Sequence, residues 1–149
     1  DDEQHMGCAD DAMRERIKAV LNVAHDMPSH GMFMEGLEYT HVGLVDGPGN
    51  PIGMYCAAVL VLVHLIKKHE RVLVCCHTGE SRAVAVVVMY LALRAGKTSE
   101  HPTFLNHWRT WDSVLNEVML KIGYSIPRPH EAHEAAFDRM PFSLLEMIA

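Results

Sequence analysis

The sequence is poor in several features that mark large classes of protein. Aromatic residues make up 7% of it, no block of like charge occurs, and 13 basic residues stand against 19 acidic ones. Proteins that bind nucleic acid or an anionic membrane surface present a basic face, so the formal net charge of -6 argues against both kinds of partner. A small local anion site stays compatible with this balance, because a local field and a net charge are different quantities.

Long apolar runs and a cysteine framework are also missing. The longest apolar run, Met54 to Val63, is shorter than the roughly 20 residues that span a bilayer. Residues 1–5 are acidic and polar, unlike the start of a signal peptide. The four cysteines do not have the spacing of a disulfide framework: Cys8, Cys56, Cys75 and Cys76. We therefore expect a protein of a reducing compartment, in the cytoplasm or also in the nucleus.

The remaining composition is that of one globular domain. The chain has 149 residues, 49% of them hydrophobic and 21% charged, which fits a single domain over residues 1–149 and excludes a disordered chain. Its 11 histidines suggest a metal site as one hypothesis. His130 and His133 share a predicted helix face, but no third ligand lies within sequence reach, so surface or satisfied histidines are the better interpretation. We expect a monomer with no metal or other cofactor.

Segments with strand character and segments with helix character alternate along the chain, which is the usual sign of an α/β fold. The segment Ser81–Ala95 is rich in valine, but its length, its helix formers and the stop at Gly96 favour a buried helix. The predicted fold is a central, mostly parallel twisted sheet flanked by helices. Its strands are Lys18–Ala24, Glu38–Val45 and Arg71–Cys75. Its helices are Asp10–Arg16, Ile52–His69, Ser81–Ala95, Phe104–Ile122 and His130–Phe137, followed by a short apolar tail to Ala149.

Residues 72–82 have the pattern of a phosphate-binding loop between a strand and a helix N-terminus. A Val-Leu-Val strand ends at two cysteines, a loop containing Gly79 follows, and Arg82 stands at the start of the next helix. The helix N-terminus directs unpaired N–H groups into the loop, and successive loop amides can surround tetrahedral oxygens. The Arg82 fork can hold two of these oxygens. The same field favours a thiolate at the base of the loop, so we predict that Cys76 attacks a bound phosphate in line.

The spacing Cys76-x5-Arg82, with Gly79 between, resembles the signature of the cysteine-dependent protein phosphatases. More narrowly, the chain resembles the dual-specificity phosphatases of the small atypical kind. Two further segments carry this likeness, the strand at residues 17–24 and the segment 39–46, which ends in Asp46, 30 residues before Cys76. The opening strand of the family, with its aromatic-Leu-Gly segment, is not apparent.

The resemblance implies a two-step mechanism without a metal. Cys76 takes the phosphoryl group, and Asp46 protonates the leaving oxygen and then activates water. Arg82 and the loop amides stabilise the transition state. The expected substrates are phosphoproteins carrying phosphotyrosine and phosphoserine or phosphothreonine, because no segment resembles the loop that deepens the pocket of tyrosine-only relatives. The expected phosphate-binding residues are His77, Thr78, Gly79, Glu80, Ser81 and Arg82.

Two departures from the family pattern predict weakened activity. Cys75 replaces a histidine that supports the thiolate, and Ala83 replaces a hydroxyl residue that helps the phosphoenzyme to break down. They leave a second hypothesis open, a pseudophosphatase that binds phosphoproteins with little or no turnover. A rhodanese-like or arsenate-reducing thiol enzyme is a third, although it would not need Asp46. Each of these residues also has a simpler interpretation. Asp46 is then only a turn residue, and Cys76 only a small buried residue that packs at the end of a strand.

Overall fold

A computed structural model of the chain describes residues 17–27, 36–98, 110–123 and 125–149. These residues form three strands and five helices. The strands are β1 (Ala19–Ala24), β2 (Glu38–Leu44) and β3 (Val72–Cys75). The helices are α1 (Ile52–Lys68), α2 (Arg82–Thr98), α3 (Trp111–Ile122), α4 (Glu131–Arg139) and α5 (Phe142–Ile148). The predicted helix Asp10–Arg16 and the first residues of the predicted helix Phe104–Ile122 lie outside the described residues.

The strands form one parallel sheet, as the sequence predicts, and their order in it is β2-β1-β3. β1 is the central strand and all six of its residues are buried, which is why its sequence is apolar apart from Asn22 and does not alternate. The Asn22 side chain is satisfied by hydrogen bonds with Met27, Tyr39 and Ala24. In register, Ala19 lies opposite Glu38 on one side and Val72 on the other. Because parallel strands end at a common edge, the segments that follow Ala24, Leu44 and Cys75 come together there. This edge carries the candidate site.

The valine-rich segment after the loop is a helix, as predicted. Val86, Val88 and Met89 on α2 are fully buried, and α2 packs against α1, β1 and β3. The strand propensity of valine is overridden here because the burial of a long apolar face stabilises the helix. α1 packs against α2 and the sheet through Tyr55 and Leu62. The α/β fold with helices flanking a parallel sheet is therefore confirmed.

The end of the chain differs from the prediction. The segment expected to be a short apolar tail is the helix α5, which begins after Pro141 and buries Leu145 against the core. Proline suits the start of a helix, where the amide that it lacks has no partner in any case. A run of seven residues shows too few repeats for its helical period to be seen in the sequence. Among the described helices, none is both long and apolar enough to cross a membrane.

Candidate active site

The loop between β3 and α2 places Cys76 beneath the first turn of the helix. The cysteine is 6% exposed, and the backbone N–H of Ala83 donates to its Sγ with an N–S distance of 3.4 Å. A sulfur that accepts from a first-turn amide lies in the positive field of the helix N-terminus. Gly79, with a φ of 73°, lets the loop turn in a conformation that other residues rarely adopt.

The rest of the loop faces outward around Cys76. The side chains of His77, Thr78 and Glu80 are exposed, whereas Ser81 is half-buried. Ser81 joins three parts of the site. Its hydroxyl donates to Asp46 Oδ1 at 2.6 Å and accepts the backbone N–H of His130 at 3.0 Å. This serine therefore ties the loop both to the segment after β2 and to the start of α4.

Arg82 lies inside the site and is anchored at one end of its guanidinium. The side chain is 6% exposed, and Nη1 donates to Asp26 Oδ1 at 2.7 Å and to the Leu44 carbonyl at 3.0 Å. An arginine has five N–H donors, two of them on Nη1. The Nε and Nη2 edge is the part of the fork that can take two oxygens of an anion.

Asp46 follows β2 and lies directly beside the loop. Its Oδ1 accepts hydrogen bonds from Ser81 and from His133 Nε2, the latter at 3.0 Å, while the side chain keeps 44% exposure. Burial raises the pKa of Asp46, but the hydrogen bonds from Ser81 and His133 outweigh it, and the net effect lowers the pKa from its usual 3.8. Asp46 is therefore a carboxylate at neutral pH.

Two residues of this site were missed by the sequence analysis. Asp26 follows β1 and accepts a hydrogen bond from Arg82, which lowers the pKa of Asp26 from 3.8; no motif in the sequence singles it out. His133 was interpreted as a surface or satisfied histidine, and it is satisfied, but its partner is Asp46. The position of Asp26 at the carboxyl end of a buried strand was the available signal, since ligand sites gather there. Nothing near His133 in the sequence indicates its partner.

The neighbouring cysteines differ from Cys76 in their surroundings. Burial, together with the charge of Cys76, raises the pKa of the Cys75 thiol to about 11, and burial also raises the pKa of Cys56. Both are therefore thiols at neutral pH, and neither has the features of a nucleophile. Cys56, Cys75 and Cys76 are all free of disulfides, and Cys8 lies outside the described residues. The described part of the chain also contains no cluster of three histidine, cysteine or acidic side chains that could hold a metal ion.

Comparisons with known proteins identify relatives of this chain by sequence and by fold. Over 76 residues the chain is 33% identical to dual specificity protein phosphatase 14 of Homo sapiens and of Bos taurus. The aligned part is 50% of this chain and spans only 37% of the length of those relatives. The structure matches that of DUSP15 with a TM-score of 0.70 at 16% identity, covering 94% of this chain and 81% of the other. The chain has the fold of the dual-specificity phosphatases.

Further solved structures show the same dual-specificity phosphatase fold. A mouse putative dual specificity phosphatase, complexed with zinc tungstate, matches with a TM-score of 0.67 at 18% identity, covering 97% of this chain and 82% of the other. Human DUSP28 matches with a TM-score of 0.62 at 16% identity, covering 93% and 83%. No protein-family model matches the chain. The resemblance to small atypical dual-specificity phosphatases that the sequence shows is confirmed by these relatives.

Proposed function

We propose that the chain is a metal-independent phosphatase that acts on phosphoproteins through a phosphocysteine intermediate. The proposal treats residues 1–149 as one catalytic domain, acting as a monomer on phosphotyrosine and phosphoserine or phosphothreonine. It also places the protein in the cytoplasm or nucleus, where Cys76 stays reduced. The observation that carries it is the 2.6 Å hydrogen bond between Ser81 and Asp46, because it brings the acid to the loop that holds Cys76 and Arg82.

The first step transfers the phosphoryl group to the enzyme. The Cys76 thiolate attacks phosphorus, the S–P bond forms, and the bond to the leaving oxygen breaks as that oxygen takes the proton of Asp46. The loop amides and the Nε and Nη2 edge of Arg82 face the charge that builds up on the three equatorial oxygens. A bound phosphate dianion raises the pKa of Asp46, so the acid is protonated in the complex that reacts.

The second step returns the enzyme to its starting state. Asp46, now a carboxylate, takes a proton from water as the water oxygen attacks phosphorus, and the S–P bond breaks to release inorganic phosphate and the thiolate. Ala83 offers no hydroxyl to the leaving sulfur, although its own N–H lies 3.4 Å from Sγ. We therefore expect the second step to be slow relative to the first.

The test is hydrolysis of an aryl phosphate in the presence of a chelator. We expect turnover by the wild type, none by Cys76→Ser, and a loss of about 10²-fold or more for Asp46→Ala with phenyl phosphate. Cys56→Ser is the matched control, because it changes a half-buried cysteine of α1 that does not line the site. Turnover that survives Cys76→Ser would overturn the mechanism. Phosphotyrosine and phosphothreonine peptides then distinguish dual from single specificity.

The absence of a hydroxyl at Ala83 favours one alternative, a module that binds phosphoproteins with little turnover. In that case the wild type would bind phosphopeptide without releasing phosphate, and Cys76→Ser would bind it equally well. A burst of product equal to the enzyme concentration, followed by slow turnover, supports the phosphatase with a slow second step instead.

A further inference from the structure

His133 is a fully buried polar side chain whose contacts lead to the candidate acid. It lies on α4 with 0% exposure, between α1 and the segment after β2. Its Nδ1 is 2.7 Å from the Tyr55 hydroxyl, and its Nε2 is 3.0 Å from Asp46 Oδ1. The rings of Tyr55 and His133 meet edge to face with centroids 5.8 Å apart, which holds the imidazole plane in one orientation.

The hydrogen-bond partners fix which nitrogen of His133 carries the proton. The Asn50 amide donates to the Tyr55 oxygen at 3.1 Å, so the Tyr55 hydroxyl directs its own proton to His133 Nδ1. Nδ1 is then the acceptor, and Nε2–H donates to the Asp46 carboxylate. The other tautomer would set a nitrogen lone pair against the carboxylate and leave the Tyr55 proton without an acceptor among these partners. The chain of donors therefore runs from Asn50 through Tyr55 and His133 to Asp46.

Burial is the main factor that favours the neutral form of His133. Burial lowers its pKa from 6.5, the hydrogen bond with Asp46 opposes this, and the charges of His130 and Arg82 add to the lowering. These groups come from α4 itself, from the segment after β2 and from the start of α2, while α1 contributes the phenol of Tyr55. A second proton on Nδ1 would also face the proton of Tyr55. The lowered pKa and the hydrogen-bond partners thus favour a neutral His133 that donates through Nε2.

We propose that His133 is a positioning residue, which together with Tyr55 holds Asp46 so that the catalytic proton is carried on Oδ2. Ser81 and His133 both donate to Oδ1, so a proton on this oxygen would displace one of the two donors. The proton that reaches the leaving group then comes from Oδ2 of this side chain, which is 44% exposed as a whole. This inference rests on the proposed phosphatase reaction.

The kinetic test compares esters with good and poor leaving groups. A general acid contributes most when the leaving group is poor, so we expect His133→Leu to lose about tenfold in kcat/KM on phenyl phosphate and little on p-nitrophenyl phosphate. His133→Gln keeps a donor and should recover part of the loss. Tyr55→Phe, a nearly isosteric change, should show a smaller effect in the same sense. Phe137→Leu is the control, because it weakens the packing of α4 without contacting Asp46.

A second measurement does not depend on turnover. Nitrogen NMR of His133 should show a proton on Nε2 and none on Nδ1 across neutral pH. The chemical shift of the Asp46 carboxyl carbon reports the protonation of this residue. Its titration midpoint should move to higher pH in His133→Leu, because a donor to the carboxylate is lost, and should stay unchanged in Phe137→Leu.

The outcomes separate the positioning role of His133 from the proposed phosphatase function. Equal losses on both esters, or an Asp46 titration that His133→Leu does not move, would overturn the inference while leaving the phosphatase mechanism intact. A wild type inactive on every ester, with the Asp46 titration still shifted by His133→Leu, would refute the proposed function and support the coupling of these two residues.

Discussion

Arg82→Lys tests whether the guanidinium holds phosphate while its other end is anchored. Both protons of Nη1 are used in the structure, by Asp26 at 2.7 Å and by the Leu44 carbonyl at 3.0 Å. The Nε and Nη2 edge is left to bind two phosphate oxygens. A lysine ammonium is a single point with three donors, so it can serve the anchor or the phosphate but not both.

The expected magnitudes follow from the bonds that are lost. Hydrogen bonds to charged groups contribute about 1.5–3 kcal/mol each. Losing one phosphate contact and weakening the other removes about 3 kcal/mol of transition-state stabilisation, which is roughly a hundredfold in kcat/KM. If the ammonium moves to the phosphate side, the buried Leu44 carbonyl loses its donor, which costs about 1–2 kcal/mol of unfolding free energy. For a domain of this size that lowers Tm by about 2–8 °C.

The assay pairs aryl phosphate kinetics with thermal unfolding. Arg128→Lys is the matched control, because this arginine binds Asp112 and Glu134 at 2.9 Å but is 55% exposed and lies outside the site. It should leave kcat/KM unchanged. If Arg82→Lys stays within about threefold of the wild type, a difference below 1 kcal/mol, the guanidinium does not bind the transferred phosphoryl group and the reasoning fails.

Three further changes test other parts of the site and fold. Ala83→Ser restores a hydroxyl at the start of α2; a hydrogen bond of about 1 kcal/mol should speed phosphoenzyme hydrolysis roughly fivefold, measured after the burst. Asp26→Ala removes the anchor of Arg82 and should raise KM and the Ki of orthovanadate, measured by steady-state inhibition. Glu38 has a pKa lowered from 4.5, chiefly by the hydrogen bond from His69 at 2.6 Å. Its contribution to stability is therefore present above pH 4.5 and is lost as pH falls through the lower folded value. Urea unfolding should show that the free energy of unfolding lost in Glu38→Gln becomes smaller over that acid range.

Each of these expectations has a result that contradicts it. An unchanged decay of the phosphoenzyme in Ala83→Ser would show that the hydroxyl does not reach the sulfur. Tighter orthovanadate binding by Asp26→Ala would mean that Asp26 competes with the anion rather than anchoring Arg82. If Glu38→Gln loses the same free energy of unfolding at every pH, the ionised carboxylate is not what stabilises β2.

The sequence by itself determines the parts of this protein that depend on local order. The three strands and the helices α1 and α2 follow from runs of buried residues between turn-forming segments, and the structure agrees with them to within one to three residues at each end. The loop from Cys76 to Arg82 is equally local, because its strand, its turn at Gly79 and its helix N-terminus follow one another along the chain. The family resemblance extends this to Asp46, whose role no local pattern indicates.

Only the tertiary structure decides which distant side chains complete the site. Asp26 lies 56 positions from Arg82, and His133 lies 87 positions from Asp46. The first pair meets because parallel strands end at one edge, and the second because α4 packs beside that edge. The short helix α5 likewise forms because the core offers a place to bury Leu145. Contacts of this kind depend on how whole elements pack, and packing is a property of the folded chain that no short stretch of sequence contains.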